Sequence, residues 1–190
     1  VESFWTIARR SRRLASMQTS VIVSVIGPDR PGLIDRLSSV IVQAGGNWEG
    51  SRMLRLAGQF AGIVQVVVDD SALPALEAAL TELDAGGLQS RLHRAGSPDD
   101  KTLGGRLYDL EVVGQDRQGI VSAIAGALAR LGVNVLELAT DCGEAPWSGE
   151  RLFKTHARLH APESLDPGAL REAVEEIAHD LMVELSVAEG

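Results

Sequence analysis

The fold of this chain is decided by a ten-residue stretch that occurs twice. Residues 25–34 read VIGPDRPGLI, and residues 112–121 read VVGQDRQGIV. Gly27 of the first stretch aligns with Gly114 of the second, an offset of 87 residues. Apolar residues, a glycine and an asparagine further along agree at the same offset. Because a repeat of this length is too long for a solenoid unit and suits a small complete domain, the sequence predicts a tandem of two similar domains.

The same order of elements is predicted in both copies. Strands are predicted over 21–26, where a β-branched run ends at Gly27, and over 48–56, 60–68 and 88–93, then over 107–113, 133–140, 152–159 and 182–187. Amphipathic stripes predict helices after the first and third strand of each copy. The order βαββαβ is the ferredoxin-like arrangement, an α+β fold. Each copy is therefore predicted to be a four-stranded antiparallel sheet with both helices on one face.

The other face of each sheet is left bare by this arrangement. A near-continuous apolar run over residues 63–68 indicates that this face is packed rather than solvated. The two copies could bury these faces together, or pair edge to edge as one eight-stranded sheet. We also expect further association into a homodimer.

The domain boundaries are predicted from composition. Residues 17–94 form the first domain, residues 95–106 a linker rich in Gly, Pro and Asp, and residues 107–190 the second domain. Residues 1–16 carry four arginines against one glutamate and precede Met17, so we interpret them as a leader or N-terminal extension. An ordinary helix, or a basic arm that touches acidic lipid or DNA, are the alternatives.

Composition limits the classes of function. The formal net charge is −8, which argues against direct nucleic-acid binding, because such proteins need a basic face. A single cysteine argues against a disulfide framework and favours a reducing compartment. No apolar run approaches the ~20 residues that span a bilayer. We therefore expect a cytoplasmic protein without membrane contact.

The repeated turn between first strand and first helix is the best-matched part of the two copies. Asp29 is predicted to cap the helix, with Pro31 in its first turn. The unpaired N–H groups of a helix start attract a carboxylate, and the adjacent aspartate could hold an ammonium group. Both signs of charge within a few ångströms suit a zwitterion. The alternative is that the same residues only build a tight, well-capped turn.

The sequence Asp-Arg-Pro-Gly-Leu after a strand, in a βαββαβ unit of this size, resembles an ACT domain, a small-molecule regulatory module. Two such domains without an attached enzyme are similar to the glycine cleavage system transcriptional repressors. The first copy keeps the motif, whereas Gln118 replaces the proline in the second. Equal ligand binding by the two copies is therefore in doubt.

The resemblance implies a non-enzymatic regulator that binds a small, glycine-like amino acid at interfaces between ACT domains. It also implies a protein partner such as a transcription factor, and no cofactor. The ligand-binding residues that it implies are Asp29, Arg30, Pro31, Gly32, Leu33, Asn47, Asp116, Arg117, Gln118, Gly119, Ile120 and Asn134. The alternative function is a ligand-free protein–protein interaction module. An enzyme is disfavoured because no phosphate loop, nucleophile elbow or dinucleotide motif occurs.

Several residues of chemical interest lie outside the turns, and most of them are predicted to be inert. Cys142 and Trp147 fall in a hairpin extension of the second copy. Cys142 is expected to be an unreactive thiol. Trp147 is expected either to anchor a partner or to pack on its own domain. His156 and His160 lie about 13 Å apart along a predicted strand, too far for one metal. The isolated His93 and His179 complete the prediction that no metal site exists. Three glutamates are predicted to lie on the solvated face of a helix and to form no site: Glu172, Glu175 and Glu176.

Overall fold

The computed structural model describes residues 17–95, 104–144, 149–181 and 183–189. The chain divides into two compact units, Val1–Pro98 and Asp99–Gly190. Residues 1–16 and most of the predicted linker lie outside the described residues, so their assignment stays a prediction.

The first unit is a four-stranded antiparallel sheet with two helices on one face. Along the chain it contains β1 (Gln18–Pro28), α1 (Leu33–Gln43), β2 (Asn47–Leu56), β3 (Gln59–Asp69), α2 (Leu73–Ala85) and β4 (Gln89–Arg94). The strands lie in the order β2-β3-β1-β4. The predicted βαββαβ order is confirmed.

The second unit repeats this architecture. It contains β5 (Arg106–Gln115), α3 (Ile120–Arg130), β6 (Asn134–Glu144), β7 (Arg151–Ala161), α4 (Pro167–Leu181) and β8 (Val183–Glu189), in the strand order β6-β7-β5-β8. Even an irregularity recurs. The register shifts between Trp48 and Gly50 on β2, and between Val135 and Glu137 on β6, at the offset seen in the sequence.

Each unit has its own core between sheet and helices. Alternate strand residues point toward the helices, and Val21, Val23 and Val25 of β1 are at most 4% exposed. Leu37 and Ile41, four residues apart on α1, are fully buried against them. Burial of one such side chain contributes about 1.5–3 kcal/mol. The second core gathers Leu110, Val112, Ile124, Leu128, Leu159 and Leu170.

The start of α1 differs from the prediction. The helix begins at Leu33, and its N-cap is Gly32 in the left-handed conformation, with no side-chain hydrogen bond to the first turn. The prediction that Asp29 caps the helix and that Pro31 lies in its first turn is therefore wrong. The carboxylate of Asp29 pairs instead with Arg55 at the end of β2.

The second hairpin has longer strands than predicted. Because β6 extends to Glu144, Cys142 lies in a strand opposite Phe153 and is exposed, rather than lying in the hairpin loop. Trp147 lies outside the described residues. His156 and His160 lie on β7, as their strand assignment predicted.

The described residues bear on two classes of site, metal centres and membrane spans. Among these residues, His, Cys, Asp and Glu form no group of three or more that could hold a metal ion. None of the described helices combines the length and apolar character that crossing a bilayer requires.

Candidate ligand site at the glycine turns

The two glycine turns have nearly the same backbone geometry. Gly32 has φ 88° and ψ 2°, and Gly119 has φ 95° and ψ −2°. The carbonyl of Gly32 accepts the first helical hydrogen bond from the N–H of Arg36 at 3.0 Å, and that of Gly119 accepts from Ala123 at 2.9 Å. A Cβ at either glycine would meet no atom of the described residues within 4 Å. The positive φ favours glycine at both positions, and among the described residues the space beside each turn is open.

No side chain of the described part of the chain caps the first turn of α1 or α3. The opening N–H groups of a helix have no partner within it, and the helix dipole places partial positive charge there. An uncapped turn beside open space is thus suited to a carboxylate. This feature is present in both units.

An aspartate in each turn is tied to the neighbouring hairpin. The N–H of Asp29 donates to the carbonyl of Gly58 at 2.9 Å, and the N–H of Asp116 donates to that of Arg151 at 2.9 Å. Asp29 Oδ2 also lies 2.7 Å from Arg55 Nε, and Asp116 Oδ2 lies 3.3 Å from Arg151 Nε. About a third of each aspartate side chain stays exposed, 33% and 31% respectively. Each carboxylate is positioned by an arginine and still reaches solvent.

The two turn arginines point to different partners. Arg30 Nη2 donates to the carbonyl of Gly86, just after α2. Arg117 Nη2 donates to Gln115 Oε1 at 3.1 Å, within its own turn. The two copies therefore present different cationic environments, in addition to the replacement of Pro31 by Gln118.

The remaining turn residues divide by burial. Pro31 and Gln118 are exposed, whereas Leu33 is 4% and Ile120 is 2% exposed. The buried pair belongs to the two hydrophobic cores. Leu33 and Ile120 can offer a ligand only their main-chain N–H groups.

The two asparagines lie at the opposite end of the sheet from the turns. Asn47 begins β2 opposite Val67, which is level with Ser20 of β1. The turn follows Pro28, eight residues further along β1, or ~27 Å at ~3.4 Å per residue. Asn134 has the corresponding position at the start of β6. Within one unit the structure does not bring asparagine and turn together.

An apolar cleft lies between α3 and the edge strand β6, and sequence reasoning missed it. Its volume is about 30 Å³, enough for a group of about methyl size. The lining residues are Leu110, Val121, Ile124, Ala125, Leu128, Val135, Leu138, Phe153, Thr155 and Ala157. A comparison of the two copies could have indicated the cleft, because smaller side chains occupy equivalent positions in the second unit. Ala157 occupies the position of Val64, and Val135 that of Trp48.

A histidine next to one asparagine was also missed. His160 lies opposite Asn134, and its Nε2 is buried without a hydrogen-bond partner among the described residues. Gly105 packs against this nitrogen, since a Cβ there would lie 2.6 Å from it. The strand assignment of His160 was correct, but burial of one ring nitrogen cannot be read from alternation alone.

Comparison with known proteins places this geometry in a family. Residues 19–91 match the model of the ACT domain. A solved structure from Galdieria sulphuraria, described as an unknown protein, is 34% identical, with 92% of this chain and 99% of that chain covered and a TM-score of 0.76. The chain belongs to the ACT-domain family. Its second unit repeats the strand order of the first, so the protein is a tandem of two ferredoxin-like ACT domains.

A second solved structure shares the fold over the same length. It is that of a protein provisionally designated a glycine cleavage system transcriptional repressor. The tandem ACT protein is 19% identical to it, with 92% of this chain and 99% of that chain covered and a TM-score of 0.68. No curated protein sequence gives a significant match to this one.

Proposed function

We propose that this tandem ACT protein is a non-enzymatic regulator that binds a small amino acid and transmits its presence to a protein partner. The observation that carries the proposal is the repeated turn. In both units an uncapped helix start, open space and a partly exposed carboxylate lie together. Such a site offers N–H groups to the ligand carboxylate and an aspartate to its ammonium group.

The position of the asparagines bears on where such a ligand would lie. Because Asn47 is ~27 Å along the sheet from its own turn, one small ligand cannot touch both within a unit. A ligand that uses both an amide and a turn cannot take them from the same unit. An amide is suited to this role because it donates to a carboxylate and accepts from an ammonium group.

The partner is proposed to be a protein engaged in transcriptional control of amino-acid metabolism. The provisional designation of the structural neighbour supports this class of process. The net charge of −8 favours action through another protein rather than direct contact with DNA phosphates. A cytoplasmic location is consistent with such a role.

Calorimetry with a panel of amino acids tests the proposal. Glycine has about five heavy atoms, and the best small ligands gain about 1.5 kcal/mol per atom, which limits the dissociation constant to a few micromolar or weaker. We expect heat with at least one small amino acid in this range. Absence of heat across the panel at millimolar ligand would refute amino-acid binding.

Matched variants locate the site. Asp29→Asn and Asp116→Asn remove the charge that would hold the ligand ammonium, and we expect about tenfold weaker binding at the affected unit. Asp70→Asn, an exposed residue outside the turns, is the control and should bind as the unaltered chain does. Equal affinity in all three variants would exclude the turns as the ammonium site.

A ligand-free interaction module is the second candidate function. It is favoured by aliphatic side chains exposed on the sheet of the first unit, including Ile63 at 49% exposure. Thermal denaturation separates the two candidates, because a ligand that binds only the folded state raises Tm. A rise with one amino acid supports the sensor, and no rise with any supports the module.

A further inference from the structure

The sheet of the first unit has an outer face, turned away from its helices, with an aliphatic centre. The aliphatic residues of this face include Ile22, Ile26, Leu54, Ala61 and Ile63. Ile26 is opposite Ala61, and Ala61 is opposite Leu54, so these three form one row across the sheet. Ile26, Ile63 and Leu54 are 49%, 49% and 57% exposed.

The equivalent face of the second unit is charged, although the fold is the same. The residues at the matching positions are Asp109, Val113, Asp141, Lys154 and His156. A solvated antiparallel sheet normally has such a polar outer face. The aliphatic centre is therefore a property of the first unit and not a requirement of the fold.

The row next to the aliphatic one ends in an arginine on each side of the sheet. Arg52 on β2 is opposite Ile63 on β3. Ile63 is opposite Ser24 on β1, which is opposite Arg91 on β4. Since β2 and β4 are the edge strands of the sheet, the two arginines are three strand spacings apart, or ~14 Å. The face thus has an apolar centre between two cations.

This face also has few acidic residues for a chain with a net charge of −8. The rows that contain Ser20 to Ile26 of β1 have no Asp or Glu at their registered outward positions. The acidic residues of the four strands are Glu49, in the bulge of β2, and Asp69, at the end of β3. The corresponding rows of the second unit contain Asp109, Glu111, Glu137, Asp141 and Glu184.

The neutral polar residues of this face divide into two groups. In the middle of the sheet, Gln65 Nε2 donates to Ser20 Oγ at 3.2 Å, and Ser24 Oγ lies 3.1 Å from His93 Nε2. Covering such paired groups costs much less than covering unpaired ones. Two exposed glutamines near one end of the face form no side-chain hydrogen bond among the described residues: Gln59 and Gln89. An amide at the rim can donate to a carboxylate of a partner.

The charges of the face decide which class of partner fits it. An apolar centre with a charged rim is the usual anatomy of a protein–protein interface, and opposite charges across the rim give specificity. Arginines at the rim are complementary to carboxylates of the partner. An anionic membrane fits less well, because the net charge of −8 on the chain opposes the attraction of two arginines to the lipid.

We propose that the outer face of the first sheet binds an acidic amphipathic helix of a partner protein. The helix would lie across the strands, with its aliphatic side against Ile26, Leu54 and Ile63. Carboxylates two to three turns apart would pair with Arg52 and Arg91, since three turns extend ~16 Å. A helix is favoured over an extended segment, because an extended segment gains its backbone hydrogen bonds at a sheet edge and not on a face. The contact requires no amino acid at the turns, so its test is independent of the proposed sensor.

Fluorescence anisotropy with a labelled synthetic peptide tests the proposal on the full chain. The probe is a helical peptide of about 15 residues, long enough to cross four strands, with leucines along one side and glutamates beside them. A matched peptide has lysine in place of each glutamate. We expect the acidic peptide to bind with a dissociation constant of about 10–100 μM, as a small interface gives, and more weakly as salt is raised. The lysine peptide should bind at least about tenfold more weakly.

Three variants of the chain locate the contact. We expect Ile63→Asp and Arg91→Glu to weaken binding of the acidic peptide at least about tenfold. Arg171→Glu changes the net charge by the same amount at an exposed position of α4 and should bind as the unaltered chain does. Retention of the native circular dichroism spectrum shows that each variant is folded.

Four outcomes would overturn the proposal. The first is equal binding of the acidic and lysine peptides, or no binding of either at about 1 mM. The second is an unchanged affinity for the acidic peptide in both Ile63→Asp and Arg91→Glu. The third is binding to vesicles of anionic phospholipid but not to the peptide, which would assign the face to a lipid surface. The fourth is self-association of the chain that Ile63→Asp abolishes, without peptide binding, which would assign the face to a second copy.

Discussion

Arg55 Nε lies 2.7 Å from Asp29 Oδ2, so the end of β2 holds the turn that precedes α1. Asp116 has the matching position in the second unit, but its partner is Arg151 at the start of β7. The repeated backbone bond from the aspartate N–H comes from equivalent positions, whereas the arginines come from different strands. The ion pair of the aspartate is therefore present in both units, although the position of the arginine is not shared.

Loss of the Arg55 side-chain charge should have little effect on stability. Arg55 is 71% exposed, and exposed ion pairs contribute about 0–1 kcal/mol. We expect Arg55→Gln to lower the free energy of unfolding by less than about 1 kcal/mol in urea denaturation. A loss above about 2 kcal/mol would show that the pair supports the turn more strongly than an exposed pair can.

The two turn arginines should differ in their effect on stability. Arg30 connects its turn to the end of α2, whereas the bond of Arg117 within the described residues goes to Gln115, two residues away. We expect Arg30→Met to cost about 1 kcal/mol more than Arg117→Met in urea denaturation, because only the first removes a contact between distant segments. Equal losses would contradict the asymmetry of the two turns.

Alanine at either turn glycine should strain the backbone. At φ 88° and 95°, a side chain costs about 1–2 kcal/mol, although no neighbouring atom would clash. We expect this loss for Gly32→Ala and for Gly119→Ala, measured by urea denaturation. Gly143→Ala is the control, since that glycine lies in β6 with open space and without a positive φ. A loss in the control equal to that of the turn variants would remove the conformational explanation.

The first hairpin contains a residue, Ala57, whose replacement can raise the stability of the fold. Ala57 has φ 49°, and the next residue, Gly58, has φ 77°, in the two-residue connection between β2 and β3. Positive φ at both positions favours Asn-Gly in such hairpins. We expect Ala57→Asn to raise the free energy of unfolding by about 0.5–1 kcal/mol, because asparagine tolerates this conformation better than alanine. Ala57→Val, a β-branched residue, should lower it.

The architecture could be predicted because the same pattern of strands and helices occurs in both copies. Alternation in strands and helical spacing in α1 are each ambiguous alone, but agreement at one offset removed the ambiguity. The separation of Asn47 from its turn was also within reach, since β1 and β2 run parallel and α1 carries the chain back to the other end of the sheet.

Other features depend on choices that composition leaves open. Asp29 and Gly32 are both acceptable N-caps, and only the fold, by placing Arg55 beside the aspartate, decides between them. The bulge after Trp48 adds one residue to β2, so the alternation between core-facing and outward-facing residues changes phase beyond it. No residue type in β2 requires this bulge. The burial of His160 Nε2 likewise depends on Gly105, which packs against it although it is distant in the sequence.

The cleft of the second unit gives a prediction with an internal standard. Ala157 lines the cleft, and Val64 holds the matching buried position in the first unit. We expect Ala157→Val to raise the free energy of unfolding by about 0.5–2 kcal/mol, because the added methyl groups fill empty space. The reverse exchange, Val64→Ala, should cost about 2 kcal/mol by creating a cavity.

Urea denaturation measures the stability change of both variants. Calorimetry with Ala157→Val tests whether the cleft also takes part in ligand binding. If the cleft receives the side chain of a bound amino acid, Ala157→Val should weaken binding of branched amino acids and leave glycine binding unchanged, since glycine has no side chain to displace. A destabilised Ala157→Val variant would instead mean that the cleft walls cannot move to accept a methyl group, which is the behaviour of an overpacked core.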